Sequence, residues 1–421
     1  MAAPLPPPPS PPPADRGGFH LAIVCALKLE VDTVSLLFDE IYERPYGRVA
    51  GDNNHYSTGR VGNHAVVLLL LPDMGTRSAA SSAAALRIAY PNVELALIVG
   101  VCGGLPRIDG DDAFLGDVVV SKSIFNYDFG RQYSGEFVPK TTVEDTLGRA
   151  GRNVRSFLAL LETEHQLGLL QRAAAGNLAS LREAAKSRSR RADYRAPRRS
   201  SDRIFAADYP HRHLSGCAAC AAEAFCEEAA GLSCAALGCD EDKLLSRRDR
   251  RPLDSVPRIF MGKVASGNAV LKSGKRRDEM ARRHDVVAFE MEGAGTWDEV
   301  PSIVVKGICD YADSHKNKAW QHFAAATAAA VAVAMLGRYE VAGAGGVVPG
   351  AAAEDLSRQT PDRTAGSVQN LSVDNHSIGS HLVNNHTTED LTALEHNKVS
   401  GHLLQGLNFQ GGGNVFNFGG K

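Results

Sequence analysis

From Phe19 to about Ser123, short apolar runs alternate with longer segments of helical period. HLAIVCA is followed by LEVDTVSLLFDEIY, HAVVLLLL by SAASSAAALRIAY, and ELALIVGV by LGDVVVS. Strands alternating with helices of this length predict an α/β layer architecture. After Val120 the regularity stops. Residues 124–260 carry helical stretches such as VRSFLALLETEHQLGLLQRAA, a basic segment and a Cys-rich patch, which predict a long excursion from the sheet. The rhythm returns at PRIFMGKVASG, DVVAFEME and PSIVVKGICD, and KAWQHFAAATAAAVAVAMLGRY then predicts a closing Ala-rich helix. The pattern delimits one domain at about 19–341, with a helical and Cys-rich insertion at about 146–257.

The flanks read differently. Residues 1–18, MAAPLPPPPSPPPADRGG, lack the charged start and apolar middle of a secretory signal and predict a disordered polyproline-type spacer. Residues 342–421 are rich in Gly, Asn, His and Ser, a composition that cannot bury a core of its own and predicts a disordered tail. The tail histidines 376, 381, 386, 396 and 402 match no metal template. The terminal NFQGGGNVFNFGG leaves open a cross-β pairing with itself or with a protein partner.

Composition then narrows the function classes. At 421 residues, 44% hydrophobic and 22% charged, the chain is not wholly disordered. Lys+Arg 46 against Asp+Glu 48 leaves a net charge of -2, so no global basic field exists to hold nucleic acid. The local run KSRSRRADYRAPRRS reads as an exposed loop rather than an RNA or membrane contact. No apolar run reaches the ~18 residues of a membrane span. Cys25, Cys102 and Cys309 each sit in or just after an apolar strand-like run, as ordinary buried thiols do, which predicts a reduced, cytoplasmic setting.

Three acids stand at the C-terminal ends of strand-like runs or at a helix mouth, where α/β sheets place their ligands: Glu30, Glu292 and Asp310. Two of them also have an ordinary reading, Glu30 as a dipole-favoured surface carboxylate and Asp310 as a helix cap. After DVVAFEMEGAG, a carboxylate such as Glu292 can accept two sugar hydroxyls. After PSIVVKGICD, a buried acid at Asp310 could give a proton to a leaving base. The patch YPHRHLSGCAACAAEAFCEEAAGLSCAALGC offers His211, His213, Cys217 and Cys220 as one structural zinc site, while AACAAEAFCEEAA also reads as a metal-free helix with small apolar thiols.

In combination and in this order, IVCALKLE, LPDMGTRSAASSAAAL, LIVGVCGG, GKVASGNAV, AFEMEGAG and VVKGICDYADSHKN resemble the purine nucleoside and uridine phosphorylase superfamily, most closely its fungal members. Those members are often effector domains of receptors with nucleotide-switch modules. The resemblance covers about 19–341 and implies a three-layer α/β/α fold with a mixed, partly closed sheet. It implies that Glu30 orients an attacking water, that Glu292 with Met291 holds the ribose hydroxyls, and that Asp310 protonates or hydrogen-bonds purine N7. It also places Gly75, Arg77, Gly103, Ser266 and Val270 around the substrate. Val270 stands where hydrolytic relatives carry a base-stacking aromatic. Phosphorolytic members carry an Arg and a Ser where this chain has Ile98 and Val101, which removes two phosphate ligands and favours hydrolysis of a purine nucleoside or nucleotide over phosphorolysis. His315, Lys316 and Lys318 with Arg77 could hold a charged 5′ substituent, or could be a solvated run before a helix. The family resemblance further implies a homo-oligomer and no cofactor required for catalysis. A signalling role, with the tail recruiting partners in fungal self/non-self recognition, is the reading from a different class.

Overall fold

Strands β1 (Leu21–Cys25), β4 (His64–Leu70) and β5 (Leu95–Gly104) run parallel at the centre of a nine-stranded mixed sheet. The computed structural model describes residues 11–189, 192–222, 224–247 and 257–342. These fall in the unit Met1–Val347; the unit Val348–Lys421 lies outside the described residues, and with it the five tail histidines and the terminal aromatic pattern. The remaining strands are β2 (Glu40–Ile41), β3 (Tyr56–Val61), β6 (Val118–Asn126), β7 (Ile259–Ser266), β8 (Val286–Glu290) and β9 (Ser302–Asp310). Their order is β8-β7-β6-β9-β5-β1-β4-β3-β2. A further antiparallel pairing, Ala288 with Gly104 and Phe289 with Gly103, joins β8 to β5. It closes β8, β7, β6, β9 and β5 into a five-stranded ring, the partly closed mixed sheet that the resemblance implies.

The ring can close because β5 changes partners along its length. Leu95–Ile98 pair with β1, whereas Gly103 and Gly104 pair with β8. Glycine suits that turn of allegiance: a Cβ on Gly104 would stand 2.7 Å from the Ile308 side chain. The apolar runs β1 and β9 are buried at every position, as parallel strands covered on both faces must be.

Helices α1 (Lys28–Ser35), α2 (Thr76–Ala89), α3 (Arg152–Leu161), α4 (Glu164–Ser187), α5 (Gly274–His284), α6 (Gly293–Thr296) and α7 (Gln321–Leu336) surround the sheet. The Ala-rich α7 is buried nearly all round, packed against β9, β5, α1 and α4. Its small side chains let the backbone come so close that a Cβ on Gly307 would lie 2.0 Å from Ala324 O.

The excursion predicted at about 146–257 divides into two parts. Leu170, Leu178 and Leu181 of α4 join the main core, so the first helices are a structural layer of the domain. The part from about 204 to 244 has its own small cluster, Phe205, Cys220, Ala229, Leu237 and Cys239. At the N-terminus, Tyr46 donates its hydroxyl to Pro13 O at 3.0 Å, so the described chain is already anchored ahead of Phe19.

Gly307→Ala is expected to destabilise the fold by about 1–3 kcal/mol, since the added methyl meets backbone rather than a movable side chain. Urea unfolding checks this; an unchanged midpoint would mean that α7 does not press on β9 here.

Candidate functional site

Four charged side chains buried to within 4% of full exclusion, Glu30, Glu290, Glu292 and Lys306, come together from three parts of the chain. Lys306 lies mid-strand in β9, facing Gly100 of β5 in register. Its Nζ donates to Glu292 Oε2 at 2.8 Å and stands 3.9 Å from Glu290 Oε2. Burial alone would push the ammonium down, but Glu292, Glu30 and Glu290 around it raise it above the ordinary lysine range.

Glu30 opens α1 and folds back over its own N-terminus. Its Oε2 accepts from Ala26 N at 3.0 Å and Leu27 N at 2.9 Å, and its Oε1 from Val101 N at 2.9 Å. Burial raises its pKa above the usual carboxylate value, against the opposing pull of Lys306. A Cβ on Gly100 would fall 2.1 Å from Oε1, so only glycine leaves room for this carboxylate. Val101, expected to mark a lost phosphate ligand, contributes its backbone N–H to Glu30, and Ile98 is packed in the core.

Glu290 and Glu292 split their tasks at the β8–α6 turn. Glu290 accepts from Glu292 N and Gly293 N, each at 3.0 Å, and so fixes the turn that aims Glu292. Burial raises Glu290 as well. Glu292 Oε1 is 3.5 Å from Gly75 N, at the mouth of α2, where Gly75 holds a positive φ of 108°. Asn268 caps the same mouth, accepting from Thr76 N at 3.0 Å and donating to Asp128 Oδ2. Met291 is half-buried beside Glu292.

Asp310 ends β9. Its Oδ1 accepts from Ala312 N at 2.9 Å, and Lys316 Nζ reaches its Oδ2 at 3.1 Å. Gly103, opposite it in register, would carry a Cβ only 3.0 Å from Oδ1. Gly100 to Gly103 of β5 thus run from beneath Glu30 to beside Asp310, and Glu292 is tied in through Lys306, which faces Gly100. The tight turn at Asp310 is held from outside: buried Arg277 donates to Tyr311 O at 2.9 Å, and Tyr311 donates its hydroxyl to Asp202 Oδ1 at 2.6 Å.

Several expected residues stand elsewhere. Ser266 is fully buried and its hydroxyl oxygen accepts from Ala294 N at 2.9 Å, so it braces the turn instead of facing a ligand. Val270 is 52% exposed in the loop after β7, and Arg77 is exposed on α2. The 5′ cluster does not assemble as expected, because Lys316 is spent on Asp310 and His315 turns into the Cys-rich patch. There the single zinc set His211, His213, Cys217 and Cys220 is also redrawn: His213, Cys217, Cys220 and Cys226 converge, and His211, Cys234, Cys239 and His315 converge separately. The alternation of His211 and His213 points the two rings in different directions, which spacing alone does not reveal.

Lys306 and Asn268 were the residues that sequence reasoning passed over. The signal for Lys306 was available, a lone charge at the centre of the apolar run PSIVVKGICD. No comparable signal marks Asn268.

The family model described as "Phosphorylase superfamily" matches residues 20–339. A nucleotide-binding leucine-rich repeat (NLR)-like protein of Hyaloscypha variabilis is 28% identical over 324 residues, 76% of this chain and 29% of that protein. The chain therefore spans under a third of that relative's length. Among solved structures, futalosine hydrolase of Helicobacter pylori has 15% identity and a TM-score of 0.45, covering 76% of this chain and 99% of that one. An MTA/SAH nucleosidase of Streptococcus pneumoniae in complex with 8-aminoadenine has 16% identity and a TM-score of 0.45, with 76% and 99% covered.

Lys306→Met is expected to cost about 3–5 kcal/mol, since it leaves Glu292 and its neighbours buried without their counter-charge. Denaturant titration reads it; a loss below about 1 kcal/mol would show that the ammonium does not hold the site together.

Proposed function

The chain belongs to the phosphorylase superfamily, and from that premise we propose that it cleaves the N-glycosidic bond of a purine nucleoside or nucleotide, with water as the attacking group. The observation that supports the proposal is the closeness of three acids around β5: Glu30 lies against Gly100, Asp310 lies against Gly103, and Glu292 is tied to Lys306, which faces Gly100. Heterolysis of the C1′–N9 bond leaves positive charge on the sugar and negative charge on the base. Glu292, with Met291, receives the ribose hydroxyls and faces the developing oxocarbenium; its Oε1 is joined only at 3.5 Å, so it has lone pairs to give. The Asp310–Lys316 pair supplies a proton at purine N7. Glu30 takes a proton from the water that attacks C1′, so base and ribose leave and the proton gained at one end balances that given at the other.

Hydrolysis is favoured over phosphorolysis by the residues at β5. Ile98 and Val101 provide no cationic or hydroxyl side chain for phosphate, and Val101 N is already engaged by Glu30. A second reading is supported by the NLR-like relative: the domain serves as the effector of a larger fungal recognition system, with residues 342–421 recruiting partners.

Purified full-length protein incubated with adenosine, inosine, uridine and ATP should release free base without added phosphate, and Asp310→Asn should lower release at least 100-fold. Release that requires phosphate would restore phosphorolysis; release from no substrate would shift the reading to the recruited effector, where deleting the tail should abolish assembly. The pH dependence follows from Glu30. It acts as the deprotonated form and burial raises its pKa, so turnover should climb with pH through a limb lying above the ordinary carboxylate range. A limb at the usual glutamate value would remove Glu30 from the role of base.

A further inference from the structure

The insertion holds two sets of side chains whose ligand atoms already stand at the separations of a filled coordination tetrahedron. In the first, Cys217 Sγ and Cys226 Sγ are 3.8 Å apart, and His213 Nδ1 is 3.5 Å from Cys220 Sγ and 3.8 Å from Cys226 Sγ. In the second, Cys234 Sγ lies 3.7 Å from His211 Nδ1 and 3.6 Å from His315 Nδ1, and Cys239 Sγ lies 3.3 Å and 3.8 Å from the same two nitrogens. Zinc with Zn–S near 2.3 Å and Zn–N near 2.0–2.1 Å puts two sulfurs about 3.8 Å apart, and sulfur and nitrogen about 3.5 Å apart, at tetrahedral angles. A disulfide needs sulfurs near 2.05 Å, which the 3.8 Å separation of Cys217 and Cys226 excludes.

The imidazoles supply an independent observation. His211 Nε2 lies 3.0 Å from Leu232 O, and His315 Nε2 lies 3.0 Å from Tyr209 O. A carbonyl only accepts, so each proton sits on Nε2 and each Nδ1 lone pair is left facing the thiols, the arrangement in which an outer carbonyl orients a metal-ligating histidine. The surroundings also call for such an anchor. The local core is five residues, two of them cysteines from the two sets, and the helices there, Ala218–Ala221, Glu227–Gly231 and Cys234–Leu237, are one turn each. So little apolar burial does not hold a subdomain of this size without staples.

We infer that the chain binds two zinc ions, one in a closed Cys3His site within the insertion and one in a Cys2His2 site that fastens the insertion to the loop after β9 through His315. The second ion has a consequence for the active acid. His315 follows Asp310 by five residues and precedes Lys316, whose Nζ holds Asp310 Oδ2. His315 and the ion behind it are thus positioning elements for the Asp310–Lys316 pair. That consequence rests on the proposed glycosidic reaction; the metal content does not.

Elemental analysis of the purified full-length chain, grown with zinc, is expected to find two equivalents. Cys226→Ser and Cys239→Ser should each leave about one, and Cys239→His, which keeps a ligand, should restore two. Because a serine variant could fail to fold, cobalt exchange into the unaltered chain gives a second measure. Thiolate-to-cobalt absorption with two equivalents of uptake supports the inference. Less than half an equivalent of zinc, or no thiolate band, overturns both sites, and one equivalent that survives Cys239→Ser and is lost in Cys226→Ser overturns the second. Base release at least tenfold lower in Cys239→Ser and recovered in Cys239→His supports positioning, whereas unchanged release overturns it. If two ions bind and no substrate is cleaved by the unaltered chain, the glycosidic reading fails and the metal sites stand.

Discussion

One ammonium among three carboxylates sets the terms for the centre of this molecule. Glu30, Glu290 and Glu292 are drawn from α1 and the β8–α6 turn into a space with little water, where a lone charge would cost several kcal/mol. Lys306 makes that concentration of negative charge tolerable, and it does so from the middle of a strand whose nearest flanking residues are Val305 and Gly307. The backbone contributes beside the lysine: Ala26, Leu27 and Val101 direct N–H groups at Glu30, and Glu292 and Gly293 direct theirs at Glu290. Of the three, Glu292 keeps an oxygen whose donor, Gly75 N, stands as far off as 3.5 Å.

The fold was legible where periodicity and residue size agree. Continuous apolar runs became buried strands, and the alanine run at 324–334 became a helix tight enough to need Gly307 beneath it. The acids were legible too, since Glu30, Glu292 and Asp310 all occupy the ends of elements that the pattern had already placed. The limits of α4 were not, because its leucines continue the main core while its position in the chain lies inside an apparent insertion. The fate of His315 was equally hidden. From the chain alone it neighbours Lys316 and Lys318 and reads with them as a basic cluster; in space its ring stacks 4.0 Å from the Phe205 ring and faces cysteines about 80 residues earlier. Local spacing carries no information about a partner that far away.

Asp310 depends on support from outside the sheet. The left-handed Ala312 (φ 52°) turns the chain sharply, and the turn is clamped by Arg277 from α5, by Asp202 through Tyr311, and by the Cys-rich patch through His315. Three supports from three separate stretches of sequence converge within six residues of the acid. An insertion of this kind is therefore part of the site's architecture even though none of its own side chains is assigned to the substrate.

The pairing of β5 with β8 reaches beyond the site it shapes. With the ring shut, the terminal strand β8 is covered on its outer edge at Ala288 and Phe289, and among the described residues the other margin of the main sheet lies at β2. That margin is two residues long, and Glu40 there faces Arg60 at 3.7 Å. So short and charged a border is a poor template for another chain's strand. For copies of this domain that associate, the helices and loops around the main sheet offer far more surface than this two-residue margin.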